Sequence, residues 1–523
     1  MARAVVLGGG IAGLASAALL ARDGYQVTLL EKNAEFGGRA GSWEHEGFRF
    51  DTGPSWYLMP EVFDHFFRLL GTTADEQLEL VQLDPGYRVF GEGYDAPLDI
   101  AADAEENIDL FESVERGAGA KLRQYLADAE EIYRLAIGKF LYSTFEKLSP
   151  VFTREVIGKG RRLSSLLLTP LSRLTARTVK DRRLRQILGY PAVFLGSSPD
   201  RAPSMYSLMS HLDLVEGVLY PMGGFTRVIR AIEAIAVAEG AELRSGVTVR
   251  RILVEHGAAT GVEIVDADGA VGFLDADVVI STVDLHHSET VLLAHDSERT
   301  YPQSYWDDRV AGPSALLLYL GVSGELPELE HHTLFFSADW KANFDAIFGS
   351  DPRVPDAPSL YVCKPSGVDP DVAPEGSENV FVLVPLPADP ALGRGGVDGK
   401  GDAAIEALAD AVIARIASAA GIPDLADRIT VRRTVGPEDF VEHLNSWKGS
   451  ALGPAHTLRQ SAFFRAGNVS TKVDKLYFAG SSTIPGIGLP MCLISAELVL
   501  KRLRGDITAA PLAEPLKPRK GRR

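Results

Sequence analysis

Apolar and polar positions divide the chain into an α/β beginning, a long helical stretch and a second α/β region. An apolar strand pattern over 4–7 and a second strand pattern over 26–30 flank a helix of small residues. From about 102 to 196, apolar residues recur at intervals of three and four, which is typical of amphipathic helices. Beyond 216, short strand patterns alternate with helical ones. This order predicts an α/β fold with an inserted helical subdomain.

A glycine-rich turn follows the first predicted strand. Gly8, Gly10 and Gly13 occupy the three positions of the dinucleotide-binding fingerprint. The first glycine makes the tight turn, the second lets the backbone approach a pyrophosphate, and the third allows close helix packing. The free N–H groups at Ile11 and Ala12 would then face the phosphates. A Rossmann-like turn that binds no phosphate is the alternative.

Charged residues extend this motif. Glu31 ends the second predicted strand, where it can accept hydrogen bonds from a ribose, and Lys32 follows it. The segment Gly37-Gly38-Arg39 comes next, with two glycines that admit a second close backbone approach. Arg39 supplies a cation beside the phosphates. Alone, Arg39 would be an ordinary surface arginine; joined to the fingerprint, it is interpreted as a cofactor residue.

A second turn of small residues lies near the end of the chain. A strand pattern at 476–479 leads into Gly480-Ser481-Ser482-Thr483, then into 485–490 and a helix predicted over 491–502. A glycine turn before a helix presents N–H groups and the positive end of the helix dipole to electron-rich atoms, such as flavin ring oxygens. An ordinary strand-to-helix crossover is the alternative.

Composition narrows the class of protein. With 523 residues, the chain is too long for one simple hydrophobic core. Its net charge of −17 argues against nucleic-acid binding. Only two cysteines, Cys363 and Cys492, indicate a reducing compartment without disulfides. The segment 477–496 is uncharged but contains prolines and glycines, so no membrane-spanning helix is predicted there. No signal-peptide pattern is seen at the N-terminus.

These motifs together resemble the bacterial-type phytoene desaturases, which are FAD-dependent carotenoid desaturases of the amine oxidase superfamily. The resemblance spans nearly the whole chain, in the family's order. It is carried by the fingerprint with Gly37-Gly38-Arg39, by Phe50-Asp51-Thr52-Gly53-Pro54, by 198–203 leading to 220–224, and by Gly480-Ser481-Ser482-Thr483 with Pro485-Gly486.

The resemblance implies an α/β fold with a Rossmann-like FAD-binding domain of the glutathione reductase and amine oxidase type. An interleaved substrate domain and a helical, membrane-facing subdomain would complete it. The expected boundaries are 1–101, 216–290 and 442–505 for the FAD-binding domain, 102–215 for the helical subdomain, 291–441 for the substrate-binding domain and 506–523 for a flexible basic tail.

The resemblance also implies which residues bind FAD, and Val249 matches the position whose backbone meets the adenine. The departures Ser481-Ser482 and Met491-Cys492-Leu493 leave the substrate open. Cys492 is interpreted as a buried, inert cysteine rather than a covalent flavin attachment. The expected FAD-binding residues are Gly8, Gly10, Ile11, Ala12, Gly13, Glu31, Lys32, Gly38, Arg39, Gly53, Pro54, Ser55, Val249, Gly480, Ser481, Pro485, Gly488 and Leu489.

Desaturation of a hydrocarbon removes a hydride and a proton. An allylic C–H is too weakly acidic to lose its proton first, so hydride transfer to the flavin is the predicted first step. The protein would then position the substrate, exclude water and stabilise cationic charge. Asp51 is the candidate catalytic carboxylate, and a structural turn residue is the alternative. No metal site is predicted, and His286-His287 and His331-His332 are interpreted as surface pairs.

The long-chain substrate would have to be collected from a membrane. Ten basic residues and two acidic ones lie between Arg154 and Arg185, with leucines interleaved. This pattern suits an anionic membrane interface, so we expect a cytoplasmic protein associated peripherally with membrane lipids. A solvated basic face is the alternative. No second glycine fingerprint offers a nicotinamide site, which favours a quinone or oxygen as the electron acceptor.

The predicted function is therefore FAD-dependent desaturation of a carotenoid, from phytoene toward lycopene. Another carotenoid oxidoreductase, such as a ketolase or an isomerase, is the nearest alternative. An amine or porphyrinogen oxidase and a non-catalytic lipid-binding escort protein are more distant ones.

Overall fold

The computed structural model describes residues 1–147, 158 and 160–518. Its strands are β1 (Arg3–Leu7), β2 (Gln26–Leu30), β3 (Ser42–His45), β4 (Phe48–Asp51), β5 (Leu80–Gln82), β6 (Tyr87–Gly91), β7 (Leu98–Ile100), β8 (Leu219–Pro221), β9 (Glu242–Arg244), β10 (Thr248–Glu255), β11 (Ala258–Val265), β12 (Val271–Asp275), β13 (Val278–Ser281), β14 (Ser314–Ser323), β15 (His332–Phe336), β16 (Leu360–Cys363), β17 (Ser377–Leu386), β18 (Ile429–Val435) and β19 (Leu476–Phe478).

The α-helices of the same part of the chain range from single turns to five turns. They cover Ile11–Arg22, Pro60–Leu69, Ala74–Gln77, Ala104–Val114, Ala118–Ala136, Gly160–Leu168, Leu171–Thr178, Arg182–Gly189, Pro191–Phe194, Met209–Leu214, Phe225–Ala238, Leu285–His287, Gln303–Asp307, Trp340–Phe348, Ala403–Ala420, Pro437–Leu444 and Leu489–Arg504.

The first sheet is parallel and has the order β19-β13-β1-β2-β9. After the exposed Arg3, the residues of its central strand β1 are apolar and buried, as expected for a strand covered on both faces. Helix Ile11–Arg22 packs against the helices Phe225–Ala238 and Leu489–Arg504. Because parallel strands end at the same edge, the carboxyl ends of β1 and β2 meet, and Gly8 N–H donates to the Leu30 carbonyl at 2.8 Å. This edge is where ligands bind in open α/β sheets.

The second large sheet has seven strands, in the order β18-β14-β17-β16-β15-β6-β7. One face is covered by helix Ala403–Ala420, whose apolar side chains share a core with β14 and β17. The strands β6 and β7 come from the segment assigned to the FAD-binding domain, and β6 pairs with β15. The boundary predicted at 101 therefore lies after two strands of the second sheet. Short strands that pair with a partner far along the chain carry no local sign of that partner.

The helical pattern predicted from 102 to 196 is confirmed for the described residues by the helices between Ala104 and Phe194. Part of the basic, leucine-rich segment, including Arg154, Glu155 and Lys159, lies outside the described residues. In the described part, Arg161, Arg173 and Arg177 are exposed. No helix among the described residues is long and apolar enough to cross a bilayer.

The segment expected to be a flexible tail from 506 packs on the protein as far as the structure describes it. Leu512 and Leu516 are buried. The Leu512 N–H donates to Glu497 at 2.6 Å, and the Leu516 N–H donates to the Leu69 carbonyl at 2.9 Å. Leu512 and Leu516 thus anchor 506–518, a segment whose one basic residue is Lys517. Residues 519–523 lie outside the described residues.

Candidate active site

One large cavity, of about 1700 Å³, runs from the glycine turn after β1 into the helical subdomain. A pocket for one small ligand holds roughly 300–1,000 Å³, so this cavity has room for more than one molecule. Its lining includes the carboxyl ends of β1 and β2, the turn after β4, the turn after β19 and the apolar faces of several helices.

The glycines of the first turn create an open backbone surface. A Cβ at Gly13 would stand 1.9 Å from the Gly8 carbonyl oxygen and 2.8 Å from Thr282 Oγ1, so only glycine allows the helix to approach the strand. A Cβ at Gly10 would meet nothing closer than 3.8 Å and would project into the cavity. The bare backbone at Gly10, at the start of helix Ile11–Arg22, therefore fits a pyrophosphate.

Glu31 organises the end of β2. One carboxylate oxygen accepts the Gly9 N–H at 2.7 Å, and the other accepts the Asn33 N–H and side-chain amide, each at 2.8 Å. The side chain also lines the cavity, where an acidic residue suits ribose hydroxyls. Lys32 follows at the wall, and burial lowers the pKa of its ammonium group.

Arg39 lies on the same wall. Its Nη2 donates to Ser446 Oγ at 3.0 Å, and its buried Nε has no hydrogen-bond partner among the described residues. A guanidinium with a buried, unpaired Nε–H suits an anionic ligand, because an unpaired buried donor costs stability. The glycine at Gly53 is required here, since a Cβ would stand 2.1 Å from the Arg39 carbonyl oxygen.

The turn after β19 is held in place by Arg465, which no sequence motif revealed. Its guanidinium is buried and, within the described part of the chain, donates to the backbone carbonyls of Thr483, Gln460, Pro454 and Ser481. Burial lowers the pKa of Arg465 to about 10. These bonds fix the turn that the resemblance assigns to the flavin ring.

His456 holds the next part of the same turn. Its Nε2 accepts the Ile487 N–H at 3.2 Å, and its Nδ1 lies 2.8 Å from Tyr206 Oη. The ring packs against Gly486, where a Cβ would stand 2.3 Å away. The sequence did not reveal this contact, because His456 lies thirty positions before Gly486 in a loop without a recognisable pattern. The glycine-rich composition of the turn is the one signal that indicates a close neighbour.

The structure brings the expected FAD-binding residues together around one cavity. All of them except Gly13 line it, and Gly13 has the packing position that the fingerprint predicts. Their role in binding FAD stays a prediction.

Asp51 does not line the cavity. Its carboxylate accepts the Phe225 N–H at 2.7 Å and the Thr226 N–H and hydroxyl at 3.1 Å, which caps the helix Phe225–Ala238. Burial raises its pKa to about 6. The predicted catalytic role is not supported by this geometry, and the structural alternative fits. A carboxylate before a glycine turn can cap a helix far away in sequence, which local pattern does not reveal.

The pair His331-His332 was wrongly predicted to lie on the surface, because both side chains are buried. Both histidines sit at the start of β15, inside the molecule between Tyr220 and Trp56. Cys492 lines the cavity and is buried, and burial raises the pKa of its thiol to about 11. A thiol that stays protonated at neutral pH is a poor nucleophile, which favours the inert interpretation.

The chain is similar to known proteins over nearly its whole length. The model of the flavin containing amine oxidoreductases matches residues 11–499. A carotenoid 3,4-desaturase of Haloarcula japonica is 41% identical over 96% of this chain and 98% of its own length. A zeta-carotene-forming phytoene desaturase of Myxococcus xanthus is 34% identical over 96% of this chain and 93% of its own. A putrescine oxidase structure superposes with a TM-score of 0.61 at 12% identity, covering 96% of this chain and 99% of that chain, which shows the fold alone.

Fold and site thus define an FAD-dependent oxidoreductase. The chain belongs to the flavin containing amine oxidoreductase family and, within it, to the carotenoid desaturases.

The close approach at Gly13 gives a first test. We expect Gly13→Ala to lose most bound FAD, because the new methyl group would push the helix away from Gly8. The measurement is the ratio of flavin to protein absorbance in the purified protein. Gly138→Ala is the matched control, since a Cβ at Gly138 would meet nothing within 4 Å. Equal flavin content in both variants would contradict the packing argument.

The helix-capping role of Asp51 gives a second test. Asp51→Asn keeps one oxygen for the cap, so we expect normal flavin content and desaturation within about tenfold of the unchanged protein. Asp51→Ala removes the cap and should lower the free energy of unfolding by about 1–2 kcal/mol. Denaturant unfolding and product analysis measure the two effects. A hundredfold loss of turnover in a folded, flavin-loaded Asp51→Asn protein would restore the catalytic role.

Proposed function

We propose that this protein removes hydrogen from a long-chain carotenoid, taking phytoene toward lycopene in successive steps. The observation that supports this most is the continuity of the cavity: the two halves of the expected FAD site open into an apolar channel in the helical subdomain. FAD, when bound, accepts a hydride from the substrate.

The channel walls suit a hydrocarbon. A substrate without polar groups can be held only by burial, worth about 25 cal/mol per Å² of apolar surface. The apolar side chains on the helical part of the cavity wall are Ile132, Leu135, Ala136, Phe140, Leu141, Phe145, Leu163, Leu167, Met205, Met209 and Leu212. An amine or a porphyrinogen would need more polar partners than this wall offers.

The protein's own side chains would support the reaction by shielding and by aromatic contact. Trp56, Phe194 and Tyr361 line the cavity and pack against one another, with Trp56 at 5.4 Å from Phe194 and 6.1 Å from Tyr361. Aromatic faces attract positive charge, and this attraction strengthens where water is excluded. The wall therefore stabilises the cationic charge that hydride loss leaves on the polyene.

A second candidate is 3,4-desaturation of a carotenoid that is already conjugated. It is favoured by the higher identity to the Haloarcula japonica 3,4-desaturase, 41% against 34% for the Myxococcus xanthus phytoene desaturase. Both reactions use the same flavin chemistry, so the site alone does not separate them.

Pigment analysis in two hosts separates the candidates. We expect expression in a phytoene-accumulating host to give more conjugated carotenoids, detected by their absorbance after chromatography. The second candidate predicts unchanged phytoene there and a 3,4-desaturated product in a host that accumulates lycopene. A Gly13→Ala variant is the control for flavin dependence. Unchanged pigments in both hosts, from a flavin-loaded protein, would overturn the proposed function.

The same proposal places the protein at the surface of a cytoplasmic membrane, with a quinone or oxygen as electron acceptor. Leu163 and Leu167 of helix Gly160–Leu168 line the cavity, while Leu168 of that helix is exposed. Phe463 also lines the cavity and is half exposed, beside an equally exposed Phe464. Apolar side chains at a cavity rim, close in sequence to exposed arginines, suit an anionic lipid surface.

Charge reversal tests this membrane contact. Arg162 is left unchanged because it pairs with Asp128 at 2.7 Å and with Glu131. We expect Arg161→Glu, Arg173→Glu and Arg177→Glu together to weaken sedimentation with anionic liposomes at least tenfold, since each basic residue contributes about 1 kcal/mol near such a surface. The matched control reverses three exposed cations elsewhere: Arg230, Lys400 and Lys472. Equal liposome binding by the two triple variants would favour a merely solvated basic face.

A further inference from the structure

A short chain of hydrogen bonds leads from the cavity wall to a buried histidine. Ser55 Oγ and Tyr361 Oη belong to residues of the wall and lie 2.6 Å apart. Tyr361 Oη also lies 2.7 Å from Nδ1 of His332, whose side chain is fully buried. The chain is open to the cavity at one end and sealed from water at the other.

His332 is poorly satisfied for a buried polar group. Its Nε2 has no hydrogen-bond partner among the described residues. Trp56 stacks on its ring, with centroids 4.4 Å apart, and His331 meets its edge at 4.6 Å. An unpaired buried nitrogen lowers the stability of the folded protein, so we expect the His332 side chain to have a function that explains its place.

The resting protonation state follows from burial. Burial lowers the pKa of His332 well below its ordinary value, and His331 acts in the same direction. Burial likewise raises the pKa of Tyr361 well above its ordinary value. The imidazole is therefore neutral and the phenol protonated. With the imidazole proton on Nε2, Nδ1 accepts the Tyr361 hydroxyl proton, and Ser55 donates to Tyr361 Oη.

We propose that Tyr361 and His332 take up the proton that the carotenoid loses after hydride transfer. This inference rests on the proposed function. The hydride leaves carbon with its bonding pair, so the substrate is oxidised by two electrons and FAD is reduced. The resulting cation then loses a proton from the neighbouring carbon, and the electron pair of that C–H bond becomes the new double bond. The proton bonds to Tyr361 Oη while the phenolic proton passes to His332 Nδ1.

The proton must also leave again. It returns along Tyr361 and Ser55 to the cavity when a quinone or oxygen collects the two electrons and takes up protons. A weak base suffices for the first transfer, because a C–H bond next to a carbocation is strongly acidic. Because His332 is a weak base, it also releases the proton readily. Among the described residues, no carboxylate is hydrogen-bonded to the buried imidazolium to stabilise it.

Three ionisable groups near Tyr361 and His332 do not compete with them as proton acceptors. Burial raises the pKa of the Cys363 thiol to about 12, so the thiol stays protonated. Lys364 donates to the Leu326 carbonyl at 2.9 Å and pairs with Glu378 at 3.5 Å. Asp51 is occupied by the helix cap.

The chain supplies a matched control for this test. Tyr319 also lines the cavity, but its hydroxyl donates to the Thr52 carbonyl at 3.1 Å and does not contact a histidine. Turnover of phytoene in liposomes is measured for Tyr361→Phe, His332→Gln and Tyr319→Phe, each at equal flavin content. We expect a loss of about 10²-fold or more for the first two and less than fivefold for Tyr319→Phe, since general base catalysis contributes about 10²–10⁴-fold.

Two further readouts separate proton transfer from a structural role. Turnover in D₂O should slow for the unchanged protein and for Tyr319→Phe, while the residual turnover of Tyr361→Phe should lose this solvent isotope effect. The ¹⁵N signal of His332 Nδ1 is measured in FAD-free protein with labelled histidine and is assigned as the signal that His332→Gln lacks. This signal should shift in Tyr361→Phe and stay in place in Tyr319→Phe.

The outcomes are distinguishable. If the unchanged protein converts phytoene and Tyr361→Phe keeps more than half of that turnover, the relay is wrong and the proposed function stands. If Tyr361→Phe does not fold, His332→Gln decides by the same criterion. If the unchanged, flavin-loaded protein converts neither phytoene nor lycopene, the proposed function fails and the relay with it. An ¹⁵N spectrum of the substrate-free protein that shows His332 as an imidazolium, with a proton on both ring nitrogens, would also overturn the relay.

Discussion

The close contact between one helix and one strand end is the constraint on which the rest of the site depends. Gly13 lies so near the Gly8 carbonyl that no larger residue fits, and Thr282 Oγ1 donates to the carbonyls of Leu7 and Gly8 at 2.8 and 2.9 Å. This junction aligns the start of helix Ile11–Arg22 with the edge of the parallel sheet. The Gly10 backbone, Glu31 and Arg39 all take their positions around that edge.

Away from this junction, buried cations that bind to backbone carbonyls hold several loops together. Arg465 ties four carbonyls of two loops together, and Lys501 binds the carbonyls of Tyr142, Thr508 and Ala510. A buried cation is costly unless its donors are all satisfied, so such residues fix one loop arrangement. Asp51 does the same with a carboxylate at a helix start. In the helical part of the cavity, the wall then consists mainly of apolar and aromatic side chains.

The sequence predicted the parts of this site that depend on local chemistry. Strand β2 has its predicted bounds, strand β1 begins one residue before its predicted start, and helix Leu489–Arg504 extends two residues beyond each end of the predicted helix. The residues expected at FAD lie around one cavity, because glycine turns at strand ends are recognisable without their surroundings. The helix-capping contacts of Asp51 were not predicted for the opposite reason, since its partners Phe225 and Thr226 are far away in sequence. The buried pair His331-His332 was misjudged because two adjacent polar residues resemble a surface pair.

The place of β19 and its following helix has a consequence for how the protein is made. The parallel sheet starts with β1 at the first residues and ends with β19 at 476–478, and helix Leu489–Arg504 then packs against helix Ile11–Arg22. The docked segment 506–518 adds a last contact, from Leu516 to Leu69. During synthesis, the N-terminal half of the nucleotide site therefore lacks its partners β19 and helix Leu489–Arg504 until nearly all of these residues have been translated. Assembly around FAD becomes an event that follows translation, and a chain cut short anywhere before the last helix has no complete site to fill.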